Sequence, residues 1–196
     1  MRVAVLFPTR TEAEFFVPPT GCEVVICGVG MAECGASVAR VVAQSHPDLV
    51  ILAGVAGSYT NRLNYGQTVA VRAESVADMG RVESWSEIGG ERFTPLFRRE
   101  YCATDLPRGF EAVVSNTVNG CGVPYASLTE ADVENMEGAA FFATTAALGV
   151  RSMQVRTISN VVGERFDIED VRECARGLAE ALTEILKQLT ADETFA

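Results

Sequence analysis

The chain has 196 residues, 48% of them hydrophobic, and carries a formal net charge of −10. Scattered basic residues on so acidic a chain disfavour nucleic acids and anionic membranes as partners, which leaves a small molecule or another protein chain. No apolar run reaches the roughly 20 residues of a membrane span, and a strand-like run stands where a signal peptide would be. We therefore expect a cytoplasmic protein that folds as one domain over residues 1–196.

The cysteines and the histidine give little indication of a catalytic or metal-binding role. The six cysteines form no CxxC pair, so we interpret them as buried or half-buried thiols, with a catalytic thiol as the alternative. The single histidine, His46, lies in a predicted loop, and one histidine cannot supply Ser-His-Asp catalysis or a multi-histidine metal site. Acid–base chemistry must then fall to carboxylates, and we expect neither a metal nor an organic cofactor.

Short apolar strands alternate with helices along the chain. Strands are predicted, in chain order, at residues 2–7, 22–27, 49–53, 66–76, 112–115 and 153–159. Helices are predicted at residues 31–45, 136–148 and 168–189. The first helix has an apolar side formed by Ala32, Ala36, Ala39, Val42 and Ala43. This order predicts an α/β domain with a mostly parallel sheet.

The segment 80–108 departs from this pattern. It is charged, aromatic and weakly periodic, and it contains the only tryptophan, Trp85. Irregular segments of this length often line a pocket or a subunit contact, and we expect one of these roles here.

Polar or glycine-rich segments follow several predicted strands. They lie at residues 8–14, 28–33, 53–58, 115–120 and 156–160. Taken singly, each has a plain structural interpretation as a helix cap or a tight turn. The segment 28–33 has Glu33 where a dinucleotide fingerprint has its third glycine, which favours a tight turn. Taken together, they predict a ligand site at the carboxyl edge of the sheet.

Two of these positions stand out. Glu137 precedes an apolar helix, where the helix dipole favours an acid, and Asn160 ends a buried strand. Packing alone requires neither side chain, so we expect both to face one cleft.

These residues resemble the signature segments of the nucleoside phosphorylase and nucleosidase superfamily. The segments are Gly-Val-Gly at 28–30, residues 53–57, Met136 with Glu137, and Ile-Ser-Asn at 158–160, and the resemblance covers nearly the whole chain. It implies a three-layer α/β/α phosphorylase-like fold with a mixed, mostly parallel central sheet, assembled as dimers or larger oligomers. Segments 53–58, 76–80, 116–120 and 136–142 are similar to the futalosine hydrolase branch, which cleaves hypoxanthine from futalosine in one route to menaquinone.

The resemblance also implies roles for individual residues. Glu12 matches the acid that deprotonates the attacking water, Glu137 the acid that holds the ribose hydroxyls, and Asn160 the group that reads the purine. The remaining matches are substrate-binding positions: Val55, Ala56, Gly57, Val118, Asn119, Met136 and Ser159.

Asn160 bears on the choice of purine. The sister branch, which cleaves methylthioadenosine and adenosylhomocysteine, has an aspartate there that can protonate N7. An amide cannot titrate, but its NH2 suits the two acceptors O6 and N7 of a 6-oxo purine. Asn160 therefore argues for hypoxanthine over adenine.

Alternatives remain open at this point. A phosphorylase would need cations at the nucleophile position, where only Arg10 is near Glu12 in sequence; a non-catalytic nucleoside-binding protein would need no water-activating acid. Futalosine also carries a benzoate tail whose carboxylate would favour a cation. The candidates are Arg62, Arg81, Arg92, Arg98 and Arg99.

Overall fold

The computed structural model describes residues 1–77, 100–120, 130–165 and 167–193. Several positions singled out above lie outside the described residues. They are most of segment 80–108, including Trp85, together with Arg81, Arg92, Arg98, Arg99 and Cys121. None of the described helices is both long enough and apolar enough to cross a bilayer.

Strands and helices alternate in the described part of the chain. The strands are β1 (Val3–Phe7), β2 (Cys22–Ile26), β3 (Leu49–Ser58), β4 (Thr68–Val76), β5 (Glu100–Cys102), β6 (Glu111–Thr117), β7 (Val133–Asn135) and β8 (Arg151–Val161). The helices are α1 (Arg10–Ala13), α2 (Met31–Ser45), α3 (Gly138–Leu148) and α4 (Ile168–Glu193).

The strands form a mixed sheet in the order β2-β1-β3-β7-β6-β4-β5. Strand β8 pairs in parallel with β3 and antiparallel with β4, so that β3, β8, β4, β6 and β7 close into a ring. Parallel pairs outnumber antiparallel ones, as predicted.

Two apolar clusters lie on opposite faces of the sheet. Alternate residues of β1 enter different clusters, Leu6 on the side of α2 and α3 and Val5 on the side of α4. This alternation follows from the two-residue period of a strand. The result is the three-layer α/β/α arrangement that the sequence predicts.

Two details of the predicted elements are wrong. The alanine side of α2 faces outward, and Cys34, Val38 and Val41 make the buried contacts instead, because these larger side chains bury more apolar surface. Strand β3 also continues to Ser58 through the segment predicted as a loop, since its backbone pairs with β8 as far as Val161.

Candidate active site

A cavity of about 470 Å³ opens at the carboxyl edge of the sheet. Chain segments that follow β1, β6 and β7 meet there with the last residues of β3 and β8. Its lining includes Pro8, Thr9, Glu12, Val29, Val55, Ala56, Gly57, Val118, Glu134, Asn135, Met136, Glu137, Arg156, Ser159, Asn160, Arg165 and Ile168.

Glu12 is held rigidly at the inner end of this cavity. Thr9 is the N-cap of the short helix α1, and the two residues form a reciprocal capping box. Glu12 Oε2 accepts from the Thr9 backbone N–H at 2.9 Å and from Thr9 Oγ1 at 2.6 Å, and Oε1 accepts from the Val55 N–H at 3.0 Å. Burial raises the pKa of the Glu12 carboxyl above its ordinary value, against these hydrogen bonds and the charge of Arg156, which lower it.

Glu137 stands at the N-cap of α3, as the sequence predicts, but it does not cap its own helix. Its Oε1 accepts from the Gly30 N–H at 3.0 Å, and its Oε2 pairs with Arg156 Nη2 at 3.1 Å. The glycine turn at 28–30 therefore serves as a donor to a site residue. This pairing fixes the orientation of the Glu137 carboxylate.

Arg156 is the buried cation of the site. It is 1% exposed, and its Nη1 donates to the Val55 carbonyl at 3.3 Å while Nη2 also donates to Asn135 Oδ1 at 3.0 Å. The positive charge of Arg156 acts against burial to lower the pKa of Glu12, and its Nη2 forms the ion pair with Glu137. The expectation that Arg10 is the cation near Glu12 is wrong, because Arg10 is exposed and outside the cavity lining.

Asn160 presents a side chain whose amide is already oriented. Its Oδ1 accepts from Ser159 Oγ at 2.9 Å, and its Nδ2 donates to the Val161 carbonyl at 3.0 Å. Because an amide nitrogen carries two hydrogens, one N–H remains for a ligand in the cavity.

The structure brings nearly all the predicted site residues together. Glu12, Glu137, Asn160, Val55, Ala56, Gly57, Val118, Met136 and Ser159 all line the cavity. Asn119 does not: strand β6 ends at Thr117, the Val118 N–H bonds to the Asn135 carbonyl, and the next residue is exposed. The roles given to the lining residues in binding and catalysis stay predictions.

The sequence interpretation assigned no role to Arg156, Thr9 or Asn135. The T-x-x-E spacing of Thr9 and Glu12 is the signature of a capping box and was available in the sequence. An arginine in the middle of a predicted strand of the sheet is also a signal, because a buried charge requires a partner. Asn135 offered no comparable pattern. Within the described ranges no group of three His, Cys, Asp or Glu side chains is placed to hold a metal ion.

Comparisons with known proteins agree with this fold. A model of the Phosphorylase superfamily matches residues 113–191. Futalosine hydrolase from Thermus thermophilus is 28% identical over 94% of this chain and 95% of its own length. Futalosine hydrolase from Streptomyces coelicolor is 31% identical over 75% of this chain and 70% of its own length.

A solved structure shows the same fold. The 5'-methylthioadenosine/S-adenosylhomocysteine nucleosidase from Helicobacter pylori, in complex with butyl-thio-DADMe-Immucillin-A, superposes with a TM-score of 0.80. The match covers 95% of this chain and 98% of that one at 16% identity, which is evidence for the fold alone. The chain thus shares the fold of this nucleosidase, and its residues 113–191 match the Phosphorylase superfamily. It belongs to the futalosine hydrolase family.

Proposed function

We propose that this chain hydrolyses the N-glycosidic bond of futalosine, releasing hypoxanthine and dehypoxanthine futalosine for menaquinone biosynthesis. The observation that carries the proposal is the meeting of Glu12, Glu137 and Asn160 in one cavity, whose lining also includes Arg156, the ion-pair partner of Glu137. The names of the two relatives support the choice of substrate.

Glu12 is the proposed general base. Its carboxyl is buried, and burial raises its pKa, so that the ionised form takes a proton from water more readily than an ordinary glutamate does. The water oxygen forms a bond to C1′ of the ribose as the bond from C1′ to the purine nitrogen breaks. The water proton passes to Glu12, and the electron pair of the broken bond stays on the purine.

Glu137 is proposed to bind the ribose hydroxyls and to favour the positive charge that develops on the sugar. A fixed carboxylate beside a developing cation lowers the barrier because it needs no reorganisation during the reaction. Its contacts with Gly30 and Arg156 supply that fixed position.

Asn160 is proposed to bind the purine through its remaining N–H. A 6-oxo purine offers acceptors at O6 and N7, and its anion is a better leaving group than that of a 6-amino purine. Hydrogen bonding to the departing hypoxanthine can then suffice without transfer of a proton from the protein.

Water is favoured over phosphate as the nucleophile. Three of the five N–H groups of the Arg156 guanidinium already donate, to the Val55 carbonyl, to Asn135 and to Glu137, and its Nε is buried. A phosphate beside Glu12 would also meet the negative charge of that carboxylate.

Arg165 is the proposed partner of the substrate tail. It is exposed and lines the cavity together with the exposed apolar side chains of Val29 and Ile168. This combination suits an aromatic ring that carries a carboxylate. The earlier candidate Arg62 lies outside the cavity lining and pairs with Glu111 and Asp132.

Domain organisation, location, oligomeric state and cofactors are proposed as well. We propose that residues 1–196 form a single domain that acts in the cytoplasm as a homodimer or a larger homo-oligomer, with no metal or organic cofactor.

A product assay tests the proposed function. The purified protein is incubated with futalosine, inosine or methylthioadenosine, with and without phosphate, and the free base is measured. We expect hypoxanthine from futalosine at a rate that does not depend on phosphate. Adenine from methylthioadenosine as the main product would assign the chain to the sister activity. Turnover only with phosphate would make it a phosphorylase, and binding with no release of base would leave a binding protein.

A further inference from the structure

A buried glutamate lies behind the cavity without lining it. Glu74, on β4, is 0% exposed, and its carboxylate accepts hydrogen bonds from Asn135 Nδ2, from Gln154 Nε2 at 2.8 Å and from Thr117 Oγ1 at 2.9 Å. Three donors converging on it match an ionised carboxylate, which only accepts. Since a buried carboxylate is costly even when paired, this arrangement calls for a physical explanation.

Asn135 connects Glu74 to the site. Its Nδ2 donates to Glu74 and to Ser115 Oγ, whereas its Oδ1 accepts from Arg156 Nη2 at 3.0 Å and from the backbone N–H groups of Glu137 and Gly138 at 2.9 and 2.8 Å. Rotating this amide by half a turn would set its NH2 against three donors. Glu74 is the acceptor that favours the observed orientation.

Thr117 makes a second connection of the same kind. Its hydroxyl donates to Glu74 and accepts from the Ala139 N–H at 2.8 Å. The first N–H groups of α3 are therefore capped by two side chains that both bond to Glu74. The residue at 138 must be small, because a Cβ atom there would lie 2.8 Å from Gln154 Nε2 and closer still to the Glu74 carboxyl.

We infer that Glu74 is a positioning residue for the hydrolysis: by orienting Asn135 it holds the Arg156 guanidinium and the Glu137 N-cap in their reactive places. This inference rests on the proposed function. It assigns Glu74 no contact with the substrate and no transfer of a proton.

Two substitutions of Glu74 distinguish the loss of its hydrogen-bond acceptor from the loss of its negative charge alone. Glu74→Met removes the acceptor at similar length, and we expect kcat for futalosine to fall about 10- to 100-fold, as for a displaced catalytic group, with a smaller change in KM. Glu74→Gln keeps one oxygen that can accept from Asn135 and Gln154, so we expect it to retain most of the turnover. Thr145→Val is the control, because its buried hydroxyl bonds to the Phe141 and Phe142 carbonyls in α3 and lies outside the cavity lining. It should lower the melting temperature and leave kcat unchanged.

The values of kcat in Glu74→Met and Glu74→Gln together decide whether Glu74 is a positioning residue. Loss of kcat in Glu74→Met with retention in Glu74→Gln supports positioning. Equal losses in both variants would show that the charge matters and overturn it, and wild-type kcat in both would overturn it as well.

A paired exchange covers the case in which Glu74→Met does not fold. Asn135→Asp alone sets two carboxylates face to face, whereas Glu74→Gln with Asn135→Asp restores one donor against one acceptor. Recovery of turnover in the double variant relative to Asn135→Asp supports the link between these residues, and no recovery would contradict it.

A measurement without substrate keeps this test separate from the proposed function. If the wild-type protein releases no base from any nucleoside, the proposed function fails. A crystal structure of Glu74→Met, or of the exchange pair if that variant does not fold, then tests the inference alone. We expect the contact between Asn135 Oδ1 and Arg156 Nη2 to be lost in Glu74→Met, and the 3.0 Å contact unchanged there would overturn the inference. In the exchange pair, we expect the contact between the side chains at positions 74 and 135 to be lost in Asn135→Asp and present in the double variant; its persistence in Asn135→Asp would overturn the inference.

Discussion

At Glu12, opposing effects act on a single carboxyl group. Burial raises its pKa, whereas the hydrogen bonds from Thr9 and Val55 and the charge of Arg156 lower it. The hydrogen bonds also fix both oxygens, so the carboxylate keeps one direction toward the cavity. A base that is both fixed and reluctant to stay ionised is suited to activating water.

Replacing Glu12 by glutamine tests this role. We expect Glu12→Gln to lower kcat for futalosine by about 10²- to 10⁴-fold, because the amide cannot take a proton from water. The dissociation constant of hypoxanthine, measured by calorimetry, should change little. The control is Glu14→Gln, two residues away on the surface, where Glu14 pairs with Arg172 at 2.6 Å. Comparable activity in Glu12→Gln and in the control would remove Glu12 from the mechanism.

Replacing Arg165 by glutamine tests its proposed contact with the carboxylate of the substrate tail. We expect Arg165→Gln to raise KM for futalosine about 1.5- to 5-fold, which is the range for an exposed ion pair, and to leave KM for inosine unchanged because inosine has no carboxylate tail. Arg62→Gln serves as the matched control and should alter neither constant. An equal rise for both substrates would place the effect of Arg165 on the nucleoside and not on the tail.

The residues of the site differ in how readily they can be identified from the sequence alone. Glu12, Glu137 and Asn160 could be identified because each follows a recognisable strand or opens a helix in a family pattern. Asn135 could not, because its importance lies in contacts with Glu74 and Arg156, which are distant in the chain. Long-range hydrogen bonding leaves no periodic signal.

Strand β3 approaches two site residues so closely that only glycine fits at one position. A Cβ atom at Gly54 would lie 2.6 Å from Arg156 Nη1 and 2.7 Å from Glu12 Oε1. This close approach lets the Val55 backbone bond to both side chains, through its N–H to Glu12 and its carbonyl to Arg156.

An alanine at this position tests the packing. We expect Gly54→Ala to lower the free energy of unfolding by about 1–3 kcal/mol through overpacking and to reduce kcat by displacing Glu12 or Arg156. Gly177→Ala, in α4, is the contrasting control: its Cβ would meet the Gly66 carbonyl oxygen at 3.6 Å, an ordinary contact. It should stabilise the protein by about 0.5–1 kcal/mol, as alanine does in a helix. Urea unfolding measures both, and equal stability of the two variants would contradict the packing argument.

Among the elements, those with a clear pattern of apolar residues were the easiest to predict. The helix α4 and the strands β1, β3 and β8 follow from hydrophobic patterns, although β3 and β8 extend further than those patterns indicate. The short strands β5 and β7 have three residues each and exist through pairing with neighbours, so local sequence does not specify them. The outward alanine side of α2 likewise depended on tertiary packing.

Protonation couples the buried site to the stability of the whole molecule. Burial raises the pKa of both the Glu12 and Glu74 carboxyls, so the folded state binds protons at a higher pH than the unfolded chain. The stabilisation from these protons is present below the ordinary glutamate value of 4.5 and is lost as pH rises through the raised values. At Asp105 the sign is opposite: burial raises its pKa, but hydrogen bonds from Arg151 and Thr104 outweigh burial and lower it.

These signs predict where stability is greatest. We expect the urea midpoint to rise as pH falls from neutral toward the ordinary glutamate value of 4.5, and to decrease again once Asp105, whose pKa is lowered, is protonated. The net charge of −10 adds to the rise, because self-repulsion also weakens as acids gain protons. Glu74→Gln removes one of the two titrations and should flatten the rise. A midpoint that increases toward pH 8 would contradict the assignment.

The closed ring of β3, β8, β4, β6 and β7 has a consequence for the way the molecule opens. A strand inside a ring has hydrogen-bonded neighbours on both sides, so it cannot detach without breaking two ladders at once. Among the described strands, β2 and β5 have one neighbour each, and each can detach by breaking that single ladder. In native-state hydrogen exchange, the amides of β2 and β5 should therefore exchange through small local openings. Those of β8 should exchange only when the whole domain unfolds, so the carboxylates of the site stay assembled through the smaller fluctuations at the edges.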